Sequence, residues 1–236
     1  MIPDDSALEI RELSLSARAV AIELRCTLII GLHAFTSISC HDGFQTSAFL
    51  RAVWGIDDTS TRHVEFQHRE LSLILREPGD FASRAIIPVF GTDTDFGGLT
   101  VRESLFAPLI SELRSAQERA SILDRVLSGL PALVRLAGQL EETLSGGERR
   151  QLAIARAWAL LLAKRIRSPG IGGLMVLEEP VEGLHRTTTL IIERLLEEIH
   201  AEGIGICVFA RDLTESWSAA AIDIGEFVTE HEGIHQ

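Results

Sequence analysis

A serine and two glycines, Ser145-Gly146-Gly147, head a helical run that extends roughly to Lys164. A loop then leads into an apolar strand, Leu174–Leu177, followed by two adjacent carboxylates, Glu178 and Glu179. This order constrains the fold more than any other stretch. A helix opening on glycine leaves bare backbone N–H groups at its positive dipole end. An unbroken apolar strand with no polar alternation reads as covered on both faces. The intervening loop, Arg165–Gly173, holds Pro169 and three glycines, and Lys164-Arg165-Ile166-Arg167 reads as a solvated basic face. Helix, loop and buried strand in succession are the repeating unit of a parallel α/β sheet.

The rest of the chain repeats the alternation. Strands are predicted at Ala7–Ser14, Val20–Ile30 and His33–Cys40, followed by a turn at His41-Asp42-Gly43 and a short helix at Ser47–Trp54. Val64–Phe66 and Arg84–Phe90 are further strand candidates. The middle is helical: Thr100–Arg114 opens on a capping-box pattern, Thr100 to Glu103, and Ala116–Ser128 and Pro131–Gln139 follow. A helix at Thr187–Ala201, a strand at Ile204–Phe209, a helix at Thr214–Ala221 and a strand at Ile222–Val228 complete the chain. The expectation is one domain over residues 1–236, α/β in class, with a helical insertion at about 100–140.

Composition narrows the partners. A hydrophobic share of 46% with 24% charged residues supports a real core, and a net charge of −12 argues against duplex nucleic acid. No apolar run reaches the roughly 18 residues of a membrane span. The opening MIPDDSALEI has acids where a signal peptide would be basic, so a cytoplasmic location is expected. Cys26, Cys40 and Cys207 form no CxxC pair, and His63 and His68 show no metal spacing, so no metal site is expected. Of 22 basic residues, one is lysine: Lys164.

Leu144-Ser145-Gly146-Gly147-Glu148, followed by a helix containing Ala153-Ile154-Ala155-Arg156-Ala157, resembles the signature of ABC transporter ATPase subunits, LSGGQ and then AIARA. Leu174–Leu177 with Glu178-Glu179-Pro180 is similar to the family's acidic strand, which usually ends in DEP. The resemblance implies a P-loop-NTPase-like cassette with a mostly parallel core sheet, an N-terminal antiparallel β region and a helical subdomain. It makes Glu178 the Mg²⁺-supporting acid, one methylene longer than the family's Asp, and Glu179 the match to the catalytic glutamate. Val181–His185 sits at the D-loop, with His185 in place of Asp.

The phosphate-gripping half departs from the pattern. A P-loop, G-x-x-x-x-G-K-[ST], needs glycines for close backbone approach and a lysine for the β/γ oxygens. Anchored on the helix before Gly55, the matching stretch runs from Cys40 to Ser47. Gly43 and Ser47 survive, whereas Gln45 stands at the second glycine and Thr46 at the lysine. With Lys164 the sole lysine, no other register restores the charge. Each missing charge-assisted contact is worth roughly 1.5–3 kcal/mol. The adenine-stacking aromatic matches near Ala17, the Q-loop reads Val89-Phe90-Gly91, and Arg211 occupies the switch-histidine position. Arg211 offers a cation to a phosphate or to Glu179, or else an ion pair with Asp212 or a nearby acid.

Cassettes of this family work as head-to-tail dimers in which one subunit's P-loop faces the other's signature. The resemblance therefore implies a degenerate importer subunit. It would present Ser145, Gly146, Gly147 and Glu148 to ATP and Mg²⁺ held by an intact partner ATPase, with weak or no ATP binding at its own site. Permease subunits, and through them an extracytoplasmic solute-binding protein, complete the implied set. The surface Gly91–Leu109 is the implied permease dock, attaching the chain to the inner face of the membrane. Glu179-Pro180-Val181 and Arg211-Asp212-Leu213 look most like the second ATPase of peptide/nickel-type importers; Leu99–Leu105 and the C-terminal half also suit branched-chain amino acid importers. Two other readings stand beside this one: an active ATPase with a lysine-free pocket, and an interaction module with no nucleotide role.

Overall fold

The computed structural model describes residues 6–17, 20–24, 27–39, 46–54, 56, 59–66, 69–70, 85–91, 97–169, 172–218, 221–224 and 228–232. Statements about structure refer to these residues.

Two sheets organise the chain. The first is antiparallel: β1 (Ser6–Ala17) pairs with β2 (Val20–Leu24), β3 (Leu28–Gly31) and β5 (Thr59–Phe66), while β6 (Arg69–Glu70) adds to β5. Val20–Ile30, expected as one strand, is thus divided between two strands that both pair with β1. The far end of the chain contributes β11 (Val228–Glu232), which lies antiparallel to β2.

The second sheet is parallel in every pairing. Its order is β10 (Ile222–Asp223), β4 (Phe35–Ser39), β9 (Ile204–Ala210), β8 (Gly173–Glu178) and β7 (Ile86–Val89). All residues of β8 and β9 are buried because both faces are covered. Along β8, Met175 and Leu177 enter one apolar cluster while Leu174 and Val176 enter another. The strand's two-residue period sends successive side chains to opposite faces. Gly205 in β9 is required by space: a Cβ there would lie 2.2 Å from the Leu32 carbonyl oxygen, where the β3–β4 turn crosses the sheet.

One cluster joins the parallel sheet to α1 (Thr46–Val53) and the antiparallel sheet, through Phe49, Phe209, Ile38, Leu8 and Ile10. The other joins its opposite face to α6 (Arg186–Ala201) and a helical subdomain. That subdomain holds α2 (Val101–Glu112), α3 (Ala116–Ser128) and α4 (Pro131–Leu136), packed on α5 (Gly146–Arg167). The Thr100–Glu103 capping box is formed in both directions.

Two expectations are corrected here. Arg165–Arg167 continue α5 and are not loop, and Lys164 is no solvated face. It is 3% exposed and bonds Glu112 at 3.1 Å, while Arg167 reaches the same carboxylate at 3.0 Å. Burial lowers the Lys164 pKa against the pull of Glu112. Of the predicted helix Thr214–Ala221, the described residues form α7, Glu215–Ser218, Thr214 and Ala221 are not helical, and residues 219 and 220 lie outside the described residues.

Candidate functional site

Ser145 is the N-cap of α5. Its hydroxyl accepts from the Glu148 N–H at 3.4 Å, and Glu148 Oε2 accepts from the Ser145 N–H at 2.8 Å and its hydroxyl at 2.7 Å. These bonds hold the Glu148 carboxyl below its ordinary pKa. The two glycines differ. A Cβ on Gly147 would meet Thr188 Cγ2 at 2.9 Å, so packing against α6 explains that glycine. A Cβ on Gly146 would meet nothing within 4 Å. No intrachain contact demands glycine at 146, and its bare, exposed backbone suits the close approach of a phosphate.

The other half lies where β8 and β9 end beside α1. Glu179 has φ +42°, a left-handed conformation rare for a side chain of this kind, and its N–H donates to the Phe209 carbonyl at 2.8 Å. That turn buries its carboxylate. Oε1 accepts from the Thr46 hydroxyl at 3.1 Å, the Arg211 N–H at 3.0 Å and Arg211 Nε at 3.4 Å. Burial still pushes the Glu179 pKa up, outweighing these donors. Arg211 also pairs with Glu182, and the two carboxylates raise its own pKa. Arg211 meets part of each option left open in the sequence: it bonds Glu179, as in the first, and a nearby acid, Glu182, as in the second, with no bond to Asp212 among the described residues.

Glu178 does not turn toward this cluster. Its Oε2 accepts from the Gly91 N–H at 3.0 Å, and it is 5% exposed. Arg150, in the first turns of α5, donates to the Glu178 carbonyl at 3.1 Å and to the Gly91 carbonyl at 2.9 Å. Sequence reasoning missed Arg150; its only cue was a long cation one turn past the glycines. It also missed the Thr46–Glu179 bond, which spans 133 positions.

Gly43 and Gln45 lie outside the described residues, as do the side chains of Ala17, His63 and His68. Thr46 and Ser47 open α1, which begins and ends one residue before the expected Ser47–Trp54. In the described part of this half, Thr46, matched in the sequence to the P-loop lysine, presents a hydroxyl to Glu179, and Glu178, matched to the Mg²⁺-supporting acid, bonds a backbone amide, an arrangement that suits a Mg-triphosphate poorly. The signature half does fit a phosphate, through Gly146.

No family model matches the chain. It is 25% identical over 199 residues to the lipopolysaccharide export ATP-binding protein LptB of Acidithiobacillus ferridurans, covering 84% of this chain and 75% of that protein. It is 28% identical over 184 residues to the hemin import ATP-binding protein HmuV of Rhizobium meliloti, covering 76% and 66%. Among solved structures, the dimeric post-hydrolysis state of the cassette MJ0796 with ADP and Pi superposes with a TM-score of 0.71 at 20% identity, covering 97% of this chain and 100% of that one. The fold is that of the α/β ATP-binding cassette, with its parallel core sheet and helical subdomain. In sequence and in fold alike, the chain is similar to the ATP-binding proteins of ABC transporters.

Proposed function

We propose that the chain is the degenerate cassette of an ABC importer, completing with its signature the ATP site of an intact partner cassette. The observation that carries this reading is the Thr46–Glu179 bond. The residue matched to the phosphate lysine is a neutral donor, and its hydroxyl is directed at the carboxylate that should polarise water. Arg211 supports the same reading, because its cation already bridges Glu179 and Glu182. This engagement weighs against a lysine-free ATPase that uses Arg211.

A bare Gly146 without a packing reason weighs against a nucleotide-free interaction module. The intact cassette would hold ATP and Mg²⁺. Permease subunits would carry both cassettes at the inner membrane face, with the surface from Gly91 to Leu109 as the dock, and a peptide/nickel-type importer remains the proposed setting.

Nucleotide binding by the isolated chain, then by the assembled complex, tests the reading. Weak or absent Mg-ATP binding alone is expected, and micromolar binding overturns it. In the complex, Ser145→Arg abolishes turnover while Glu179→Gln changes it little. The reverse pattern would place the working site on the other side.

A further inference from the structure

Glu178 presents a puzzle that the degenerate site does not resolve. A buried carboxylate released from metal support is costly to keep unless something uses it. Its partner is the Gly91 amide, at 3.0 Å, where the chain leaves β7. The longer glutamate side chain gives it a reach that aspartate lacks. Arg150 closes the arrangement, with one guanidinium nitrogen on the Glu178 carbonyl and the other on the Gly91 carbonyl. A planar fork suits two acceptors held side by side, and lysine could not span both in one fixed geometry. A Cβ on Gly91 would stand 3.6 Å from Glu178 Cδ and 3.7 Å from Arg150 Nη1, so the three residues already pack in contact.

Arg150 belongs to the same helix start as Ser145 and Gly146. On its α6 side that helix start rests on Thr188, close to Gly147. We propose that Arg150 and Glu178 are positioning residues, a latch of three hydrogen bonds that ties the signature helix to the ends of β7 and β8 and so sets the aim of the Gly146 amide. The role rests on the reading that this helix start meets a phosphate. Glu178 thereby changes from a metal-supporting acid into a structural acceptor, and Gly91 supplies both a donor and an acceptor to the latch.

Two measurements test the latch. In the full chain alone, hydrogen exchange at the Gly91 amide accelerates about tenfold in Glu178→Asp, while Glu178→Gln, which keeps an acceptor at the same reach, retains protection. Equal Gly91 protection in Glu178→Asp and the unaltered chain overturns the latch, whether or not a partner is in hand. In the complex purified with its partner cassette, Arg150→Ala and Glu178→Asp lower kcat/KM for Mg-ATP about tenfold.

Glu178→Gln keeps turnover within about threefold and leaves the Mg²⁺ requirement unchanged. A raised Mg²⁺ requirement in Glu178→Gln returns the residue to metal support and overturns the proposal. Ser145→Arg separates the two readings. If it leaves turnover intact, signature donation itself fails. If it abolishes turnover while Arg150→Ala does not change it, the latch alone fails.

Discussion

The two signature glycines should respond oppositely to the same added methyl group. At Gly146 the new Cβ enters open space, so alanine chiefly reduces the freedom of the unfolded chain. In a helix that exchange is worth about 0.5–1 kcal/mol in favour of the fold. For a domain of this size, each kcal/mol moves Tm by roughly 2–4 °C, so Gly146→Ala unfolds about 1–4 °C higher. At Gly147 the Cβ would lie 2.9 Å from Thr188 Cγ2, a β-branched group on α6 with little room to turn.

Overpacking of that kind costs about 1–3 kcal/mol, which cancels or exceeds the backbone gain. Gly147→Ala therefore unfolds at or below the temperature of the unaltered chain. Pairing it with Thr188→Ala removes the colliding methyl and restores the loss. Thermal unfolding by circular dichroism ranks the variants, and Mg-ATP turnover of the assembled complex reads their function. Gly146→Ala should lose turnover despite its firmer fold. If Gly146→Ala instead unfolds as early as Gly147→Ala, the fold needs that glycine, and the case for a phosphate at its amide collapses.

Other consequences are equally open to measurement. The bonds from Ser145 and Thr100 hold Glu148 and Glu103 below the ordinary glutamate value of 4.5, so their stabilisation is present above that pH and lost as pH falls through their lowered values. Glu148→Gln and Glu103→Gln should each make urea-unfolding stability less sensitive to acid; an unchanged acid limb would refute this. Glu112→Ala strands the buried Lys164 ammonium and should cost on the order of 3 kcal/mol in chemical denaturation, whereas Lys164→Met leaves Glu112 its bond to Arg167 and costs less. Trp158→Phe removes the indole N–H bond to Glu202 Oε2 at 3.0 Å, while Arg125 still holds that carboxylate, so about 1 kcal/mol should be lost on unfolding.

What the sequence made legible was local. The Thr100 and Ser145 caps form between residues three apart, and helices α3 and α6 follow from spacing within their own stretches. The parallel order β4-β9-β8-β7 was anticipated only as a class, because which strand neighbours which depends on crossovers and not on local pattern. The return of Val228–Glu232 to β2 was invisible for the same reason. At the site, composition exposed the missing lysine, yet the contacts of Thr46 with Glu179 and of Arg150 with Gly91 join residues 133 and 59 positions apart. A basic run resembles a solvated face, and Lys164 departs from that reading because its buried ammonium finds its carboxylate, Glu112, on another helix; no local signal carries that.

The burial of Lys164 also governs how the molecule can be handled. Reagents and enzymes that act on lysine ε-amines have one side-chain target, and it lies 3% exposed against a carboxylate. Cross-linking through lysine side chains will thus report little of this chain's contacts, whereas carboxylate- and arginine-directed chemistry meets many more side chains.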